Sequence, residues 1–500
     1  MASIWDSPAW KSLGPFTSQP GNLTFTFFID WFNPLTNKTA GKSISCGAIM
    51  MFCLNLPYEL QYLPENTFFA GITPPPKEPS VTTITALTDP VVDHLDNMWK
   101  GRIVRTYRHP KGVQHRVAVL PAIGDLMAMR KTLGFAGVAS HNFCSFCKLQ
   151  LADIENLDIN SYVPRGGLEV LVAAECWQRA KTKEKRKELF KKNGVRWSSL
   201  NRLAYRDPVR HTVLGVMHNW LEGVLQHQAR QKWGIGAQLN KGKSNTHEDT
   251  PPPSTPDELM DVDIDLLEDK LLALREESQK FVDTPAQLKR AHTKSIILDS
   301  LGDGGDIGDD EDFEPDEDSG DEDEDQEEDG YPCIFSEELL LQIRDCLSNA
   351  IIPTGIGRPP KNLGNKSHGK LKADQWLILF TVFLPLILPE LWLASENQFH
   401  RNLLDNFADL VTCTNIICSH STTEAAADAY LEHYIRYRQS SAQLFPNVGS
   451  RPNHHYAMHN GDLLKFWGPL IKLGEFGYER HNGSLQKIKT NQHFCMSFQS

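Results

Sequence analysis

Five hundred residues, 40% hydrophobic and 9% aromatic, are enough to bury two to four domain cores, or that of one domain with a large insertion, and the net charge of −12 suggests at first sight an acidic protein. The acidity is local: residues 303–329 hold 18 of the 63 acids and no Lys or Arg, leaving 45 acids against 51 bases elsewhere, a balance of +6 that permits a polyanionic partner. Ten cysteines are too sparse for a disulfide scaffold, and the start, MASIWDSPAWKSLG, lacks the basic and apolar regions of a secretory signal.

Along the chain, LTFTFFI (23–29), SISCGAIMMFCLNL (43–56) and HRVAVLPAIG (115–124) predict strands, and ITPPPKEPS (72–80) predicts a turn-rich connection. VVDHLDNMWKG (91–101) predicts a helix between the second and third strands, so the first ~150 residues read as a mixed α/β sheet. Residues 168–192 turn helical and basic, and a second helix is expected from His211 to Gly234. The composition then breaks into a linker (236–256), an acidic amphipathic helix (257–280) and the acidic tract, which cannot bury enough apolar surface to order itself. Order is expected again from Phe335, largely helical to the end. The most apolar window there, Trp376 to Pro389, runs only 14 residues before Glu390, short of the ~20 that span a bilayer. It reads as a kinked core helix of a soluble intracellular protein.

Two of the predicted strands end on a carboxylate. Asp30 closes LTFTFFI and Asp125 closes VLPAIG, and adjacent strands finishing at one edge would bring them side by side. Glu479, in GYERHNG, is the natural third acid, with Glu475 four residues earlier as its competitor. Carboxylates from separate elements can hold two divalent ions ~3.5–4 Å apart for phosphoryl transfer. The plainer alternative is that an Asp after a strand caps a helix or opens a turn. Cys144 and Cys147 form the chain's one CxxC and have the spacing of a zinc half-site, with His141, His211 and His218 as candidates for the other half. A buried cysteine pair is the alternative. RPNHHYAMHN groups His454, His455 and His459, as metal or phosphate contacts or as partly exposed loop residues. The basic helix at 181–192 fits phosphate contacts, or a solvated face with Glu184 and Glu188 paired along it. No HExxH appears, which argues against a zinc hydrolase.

Several stretches, taken in order, resemble the transposases of CACTA (En/Spm-type) DNA transposons, particularly those of fungal genomes. They include IDWFNPLTNKTAGKSISCGAI, NLPYELQYLPENTFFAGITPPPKEPS, VLPAIGDLMAMRKTLGFAGVASHNFCSFCKL, DPVRHTVLGVMHNWLEGVLQHQARQKWGI, SHGKLKADQW and GEFGYERHNGSLQKIKTNQH. The resemblance implies an RNase H-like core (a mixed sheet flanked by helices) with a large helical, partly disordered insertion before the last acid. It also implies a DDE site binding two divalent ions, Mg²⁺ or Mn²⁺. By position it maps the three acids onto Asp30, Asp125 and Glu479, the family's CxxC onto Cys144 and Cys147, and its Met-His pair onto Met217 and His218. Cys144, Cys147 and His218 are thus the expected ligands of a structural Zn²⁺. Where many relatives have an Asp three residues before that His, this chain has Gly215; Asp207 and His211 stand nearby as substitutes.

Further expectations follow from the same resemblance: a nuclear, homo-oligomeric enzyme without membrane contact that cuts and joins DNA at transposon terminal repeats. The organisation it implies is a first part of the core at 1–235, a linker and acidic tract at 236–334, a helical insertion at 335–460 and the end of the core at 461–500. No DNA-binding module is recognisable ahead of Ile4 and 21 residues follow Glu479, so a shortened chain is expected. A shortened chain supports a second expectation, a catalytically silent, domesticated protein that binds nucleic acid or chromatin, its acidic tract touching basic proteins such as histones.

Overall fold

The computed structural model describes residues 1–34, 44–235, 334–353, 356–365, 371–393 and 397–487. The expected linker, acidic helix and acidic tract lie outside the described residues. The α/β expectation holds: the described chain is a mixed sheet covered by helices.

The sheet consists of β1 (Asn22–Phe32), β2 (Cys46–Phe52), β3 (Thr67–Thr73), β4 (Arg102–Val104), β5 (Val113–Gly124) and β6 (Thr212–Leu214), in the order β3-β2-β1-β5, with β4 and β6 both against β5. The first three strands are antiparallel, and β5 and β6 then run parallel to β1 and β5 respectively. Apolar residues on both faces of β1 and β5 explain why this centre was readable: a strand buried on both sides reads as a continuous apolar run. Two strands were not readable. β3 carries Gly71 and leaves Phe68, Phe69 and Ile72 exposed at the sheet edge, so it shows no alternation. β6 is three residues long and falls where the helix starting at His211 was expected; β-branched Thr212 and Val213 favour a strand, and the helix begins at Met217.

Each face of the sheet meets helices. On one face, Phe27, Ile29, Val117 and Val119 pack against α1 (Thr83–Lys100), α2 (Leu126–Leu133) and α3 (Gly167–Arg179). Helix α1 starts earlier than the sequence suggested and runs through Pro90, because its buried stripe of Ile84, Thr88, Val92, Leu95 and Trp99 continues past it. The basic helix α4 (Lys183–Asn193) follows; Lys185 pairs with Glu188 at 3.0 Å and Arg186 lies over the Trp177 ring.

On the other face, Ala118, Leu120 and Ile123 join a larger core with α5 (residues 217–232), a helix wound with π geometry over Met217–Leu225 and Gln228–Lys232. That core continues without a break through α6 (Glu337–Asn349), α7 (Ala373–Leu393), α8 (Gln398–Ile417), α9 (Glu424–Leu444), α10 (Pro452–Met458) and α11 (Asn460–Trp467). Helix α7 is long and apolar enough to cross a membrane by length and composition. It places Trp376, Phe380, Phe383, Leu384 and Trp392 in the same core as Trp233 and Phe407. The last helix, α12 (Phe476–Gln486), returns to the sheet: Tyr478 stacks on Phe28 of β1 with ring centroids 3.9 Å apart, and its hydroxyl bonds Thr26 Oγ1 at 2.6 Å.

Candidate metal centres

Parallel pairing of β1 with β5 aligns Phe28 with Ile123, so Asp30 and Asp125, each two residues further on, stand at the same edge. Asp125 uses Oδ1 to accept from Ala128 N at 2.5 Å, which makes it the N-cap of α2; the capping expectation is met without removing the residue from the strand edge. Asp30 is 9% exposed, and its carboxylate accepts from Trp31 N and from Asn482 Nδ2, both at 2.8 Å.

The Asn482 bond shows how α12 reaches the site. Glu475 at its N-cap, Glu479 one turn on and Asn482 three residues further share one face of the helix, and the Tyr478 wedge sets that face against β1. Glu479 lies close enough to Asp30 for its charge to act on that carboxyl, and its Oε1 lies 3.6 Å from His218 Nε2. His218 is held on its other side by Glu222, Nδ1 to Oε2 3.0 Å, across one turn of α5. Glu475 is fully buried; Oε2 accepts from Met217 N at 3.2 Å, and Oε1 has no hydrogen-bond partner.

Gly215 is what admits Glu475. A Cβ at that position would lie 1.3 Å from Glu475 Oε1, so no side chain fits while the carboxylate is there. The position where the resemblance led one to look for an Asp is thus occupied by a carboxylate from α12. Asp207 and His211 do not substitute: Asp207 accepts from Val209 N and Arg210 N, and His211 Nδ1 meets Asp207 N, within their own turn.

Charge dominates this cluster. Burial, then the charges of Glu479 and Asp125, push the Asp30 carboxyl well above the usual carboxylate range. Burial pushes Glu475 up to about 7. Burial works against a charged His218, but its contacts with the Glu222 and Glu479 carboxylates and the charges of Glu475 and Asp125 outweigh it and push the ring well above its ordinary value. Glu479 moves the other way: burial raises it, and its interactions with His218 and Asp30 bring it below its ordinary value. Five carboxylates lie around the His218 ring, and Glu475 Oε1 and the Asn482 Oδ1 acceptor are unpartnered; oxygens of this kind are the ligands that hard divalent cations take.

A second centre joins a loop to a distant helix. Cys144, Cys147, His455 and His459 are all buried, and their four ligand atoms lie within 4.8 Å of one another. Sγ of Cys144 is 3.5 Å from His459 Nε2, Sγ of Cys147 is 3.2 Å from His455 Nε2, and the two Nε2 atoms are 3.2 Å apart. Ligands at Zn–S ~2.3 Å and Zn–N ~2.0 Å in a tetrahedron are separated by about 3.3–3.8 Å, so the quartet fits a structural zinc ion. Cys144 Sγ also accepts from Phe146 N at 3.3 Å and Cys147 N at 3.4 Å. Arg165 Nε clamps the loop by donating to Cys144 O and Cys147 O. Tyr456, between the two histidines, accepts from Ser145 N and Arg130 Nη2 and so ties α10 to the same loop. The thiols divide their protons: burial raises Cys144, but bonds from Cys147, His455 and His459 draw it well below its ordinary value, while its bond to Cys144 and burial drive Cys147 up.

His218, expected beside the cysteines, is therefore in the carboxylate cluster instead. Neither it, His141 nor His211 belongs to the sulfur centre; the second half comes from His455 and His459. Their H-x₃-H spacing, together with the CxxC, was the available signal. Among the described residues, the Cys₂His₂ quartet is the compact ligand group; Asp30, Asp125 and Glu479 do not converge as tightly. Two ions ~3.5–4 Å apart need a wider cradle than one. No protein-family model matches the chain, and no curated protein matches it either.

Proposed function

We propose that the protein is a DDE-type nuclease of the CACTA transposase kind, built on an RNase H-like core, that cleaves DNA phosphodiester bonds at transposon ends and joins the freed 3′ hydroxyl to target DNA. The observation that carries this reading is the approach of Asp30, Asp125 and Glu479, from two neighbouring strand ends and the last helix, near enough for the charges of Glu479 and Asp125 to act on Asp30. The mixed sheet flanked by helices supports the RNase H-like assignment.

Bound Mg²⁺ or Mn²⁺ would supply the charge that stabilises a pentavalent phosphate and lowers the pKa of an attacking water. The chain's own residues supply position. Asn482 fixes one Asp30 oxygen, Ala128 N fixes one of Asp125, and His218 orients Glu479 from the side opposite Glu222. Glu475, out of solvent and beside Met217 N, supports the cradle from behind. The sulfur centre acts structurally, holding α10 and hence the helical region against the loop after α2.

Mg²⁺-dependent nicking of terminal-repeat DNA tests the assignment. Asp30→Asn and Glu479→Gln should each lower the rate by at least ~10²-fold while leaving the thermal transition within a few degrees. Equal nicking by wild type and Asp30→Asn would sink the nuclease and leave the silent, nucleic-acid-binding reading in its place.

A further inference from the structure

From Asn97 to Gly124 the sequence contains no acid, but it does contain Lys100, Arg102, Arg105, Arg108, Lys111 and Arg116. The fold makes this stretch a projecting hairpin. β4 pairs antiparallel with the start of β5, Arg102 opposite His115 and Val104 opposite Val113. The tip is closed by Thr106 and His109, which exchange backbone hydrogen bonds at 3.2 and 3.1 Å, and Gly112 N donates to His109 O at 2.9 Å. Thr106 Oγ1 takes a further bond from His109 N. The base is equally fixed: Arg116 lies over the Trp99 ring at 4.5 Å and donates to Trp99 O at 2.7 Å. This is a formed projection, not an open loop.

Its outer residues are bare. Tyr107 is fully exposed and Ile103 is 77% exposed. Among the described residues no ion pair engages Arg102, Arg105, Arg108 or Lys111, although pairs are common elsewhere, as on α4. One or two charges protect a sheet edge from pairing with another chain. Cations that extend around the tip, interleaved with an exposed aromatic ring, go beyond that need and match a polyanion.

We infer that residues 102–111 grip the phosphate backbone of duplex DNA, an inference that rests on the proposed DNA-processing function and gives it a docking surface. β5 runs from this hairpin to Asp125, and its 12 residues at ~3.3 Å each span roughly 40 Å. That is about one turn of duplex, 34–36 Å. The grip therefore meets flanking duplex about one turn from the phosphate at the carboxylates. Contacts to phosphate position a duplex without reading its sequence, so the hairpin sets affinity and register, not base preference.

The experiment uses the full chain in Mg²⁺-free buffer without chelator and a labelled duplex of arbitrary sequence, about three helical turns long. Anisotropy is read between about 50 and 200 mM salt. In Arg105→Gln/Arg108→Gln/Lys111→Gln, three lost phosphate contacts should lower the slope of log affinity against log salt by about 2.7 and weaken binding at least tenfold, with an unchanged thermal transition. Tyr107→Ala should weaken binding with the slope kept. Unchanged slope and affinity in the triple variant overturn the inference. So does transfer of the slope change to a Lys183→Gln/Lys187→Gln/Lys191→Gln control on α4, or loss of binding to phosphatidylserine vesicles with DNA binding intact. Because only binding is read and no Mg²⁺ is present, failure of nicking discards the nuclease and leaves the grip standing.

Discussion

The hydrogen that stands for a side chain at position 215 determines where Glu475 can sit. Gly215→Ala should evict the Glu475 carboxylate and cost about 1–3 kcal/mol. In a double-mutant cycle, Glu475→Ala should abolish most of that cost; simple additivity would show that the two positions do not compete. Lys232 offers a second test at this scale. It is buried, its ammonium 3.1 Å from Tyr437 Oη and over the Tyr437 ring, and burial pushes its pKa from 10.5 down to about 7. The unfolded chain binds this proton more tightly than the folded one, so between about pH 7 and 10.5 unfolding takes up a proton and stability rises with pH. Lys232→Met should flatten the rise in Tm between about pH 7 and pH 9; an unaltered rise would assign it to another group. Residue-level chemistry was legible where local pattern carries it, as with Asp30 and Asp125 at the ends of apolar runs. The seat of Glu475 was not, because no local pattern tells which glycine faces which carboxylate 260 positions away, nor that His218 turns toward acids and not toward thiols.

At the scale of elements, two attachments bring remote sequence to the sheet. Tyr478 attaches α12, and the Cys₂His₂ quartet attaches α10. Tyr478→Phe removes the bond to Thr26 and should cost about 1 kcal/mol. Tyr478→Ala also empties the stacked site on Phe28, should cost about 3–5 kcal/mol, and should lower nicking with it, since Glu479 is carried by the same helix. For the quartet, purified protein should contain about one zinc per chain, and His455→Ala or Cys147→Ser should lose the metal and lower Tm. A metal-free chain whose Tm ignores a strong chelator would show the quartet to be a plain buried cluster. Strands β1, β2 and β5 were legible because they are long and apolar. β3 and β6 were not: one is an exposed edge and the other is three residues paired only at the end of β5. The first two turns of α1 were not legible, since TITALTD before Pro90 is rich in Thr, a weak helix former, and buries only Ile84 and Thr88.

Over the whole molecule, charge and connectivity separate. Residues 236–333 hold 31 of the 63 acids and 8 of the 51 bases, so the remaining chain carries +11. The described residues on either side of that segment already meet: Phe335 N donates to Trp233 O at 3.1 Å and the two rings stack. Replacing 236–333 by a short Gly/Ser linker should therefore leave Tm nearly unchanged while tightening DNA binding at low salt, an effect that fades as salt screens it. A large fall in Tm would show that the segment contributes to the fold. The bond from Asn482 to Asp30 has a different consequence, one of timing. Its two ends are 452 residues apart in the chain. At about 5–20 residues per second, a ribosome needs roughly 20–90 s to pass from one to the other. During that interval the emerging sheet carries Asp30 and Asp125 without α12, so the carboxylate cluster assembles only after that helix has left the ribosome.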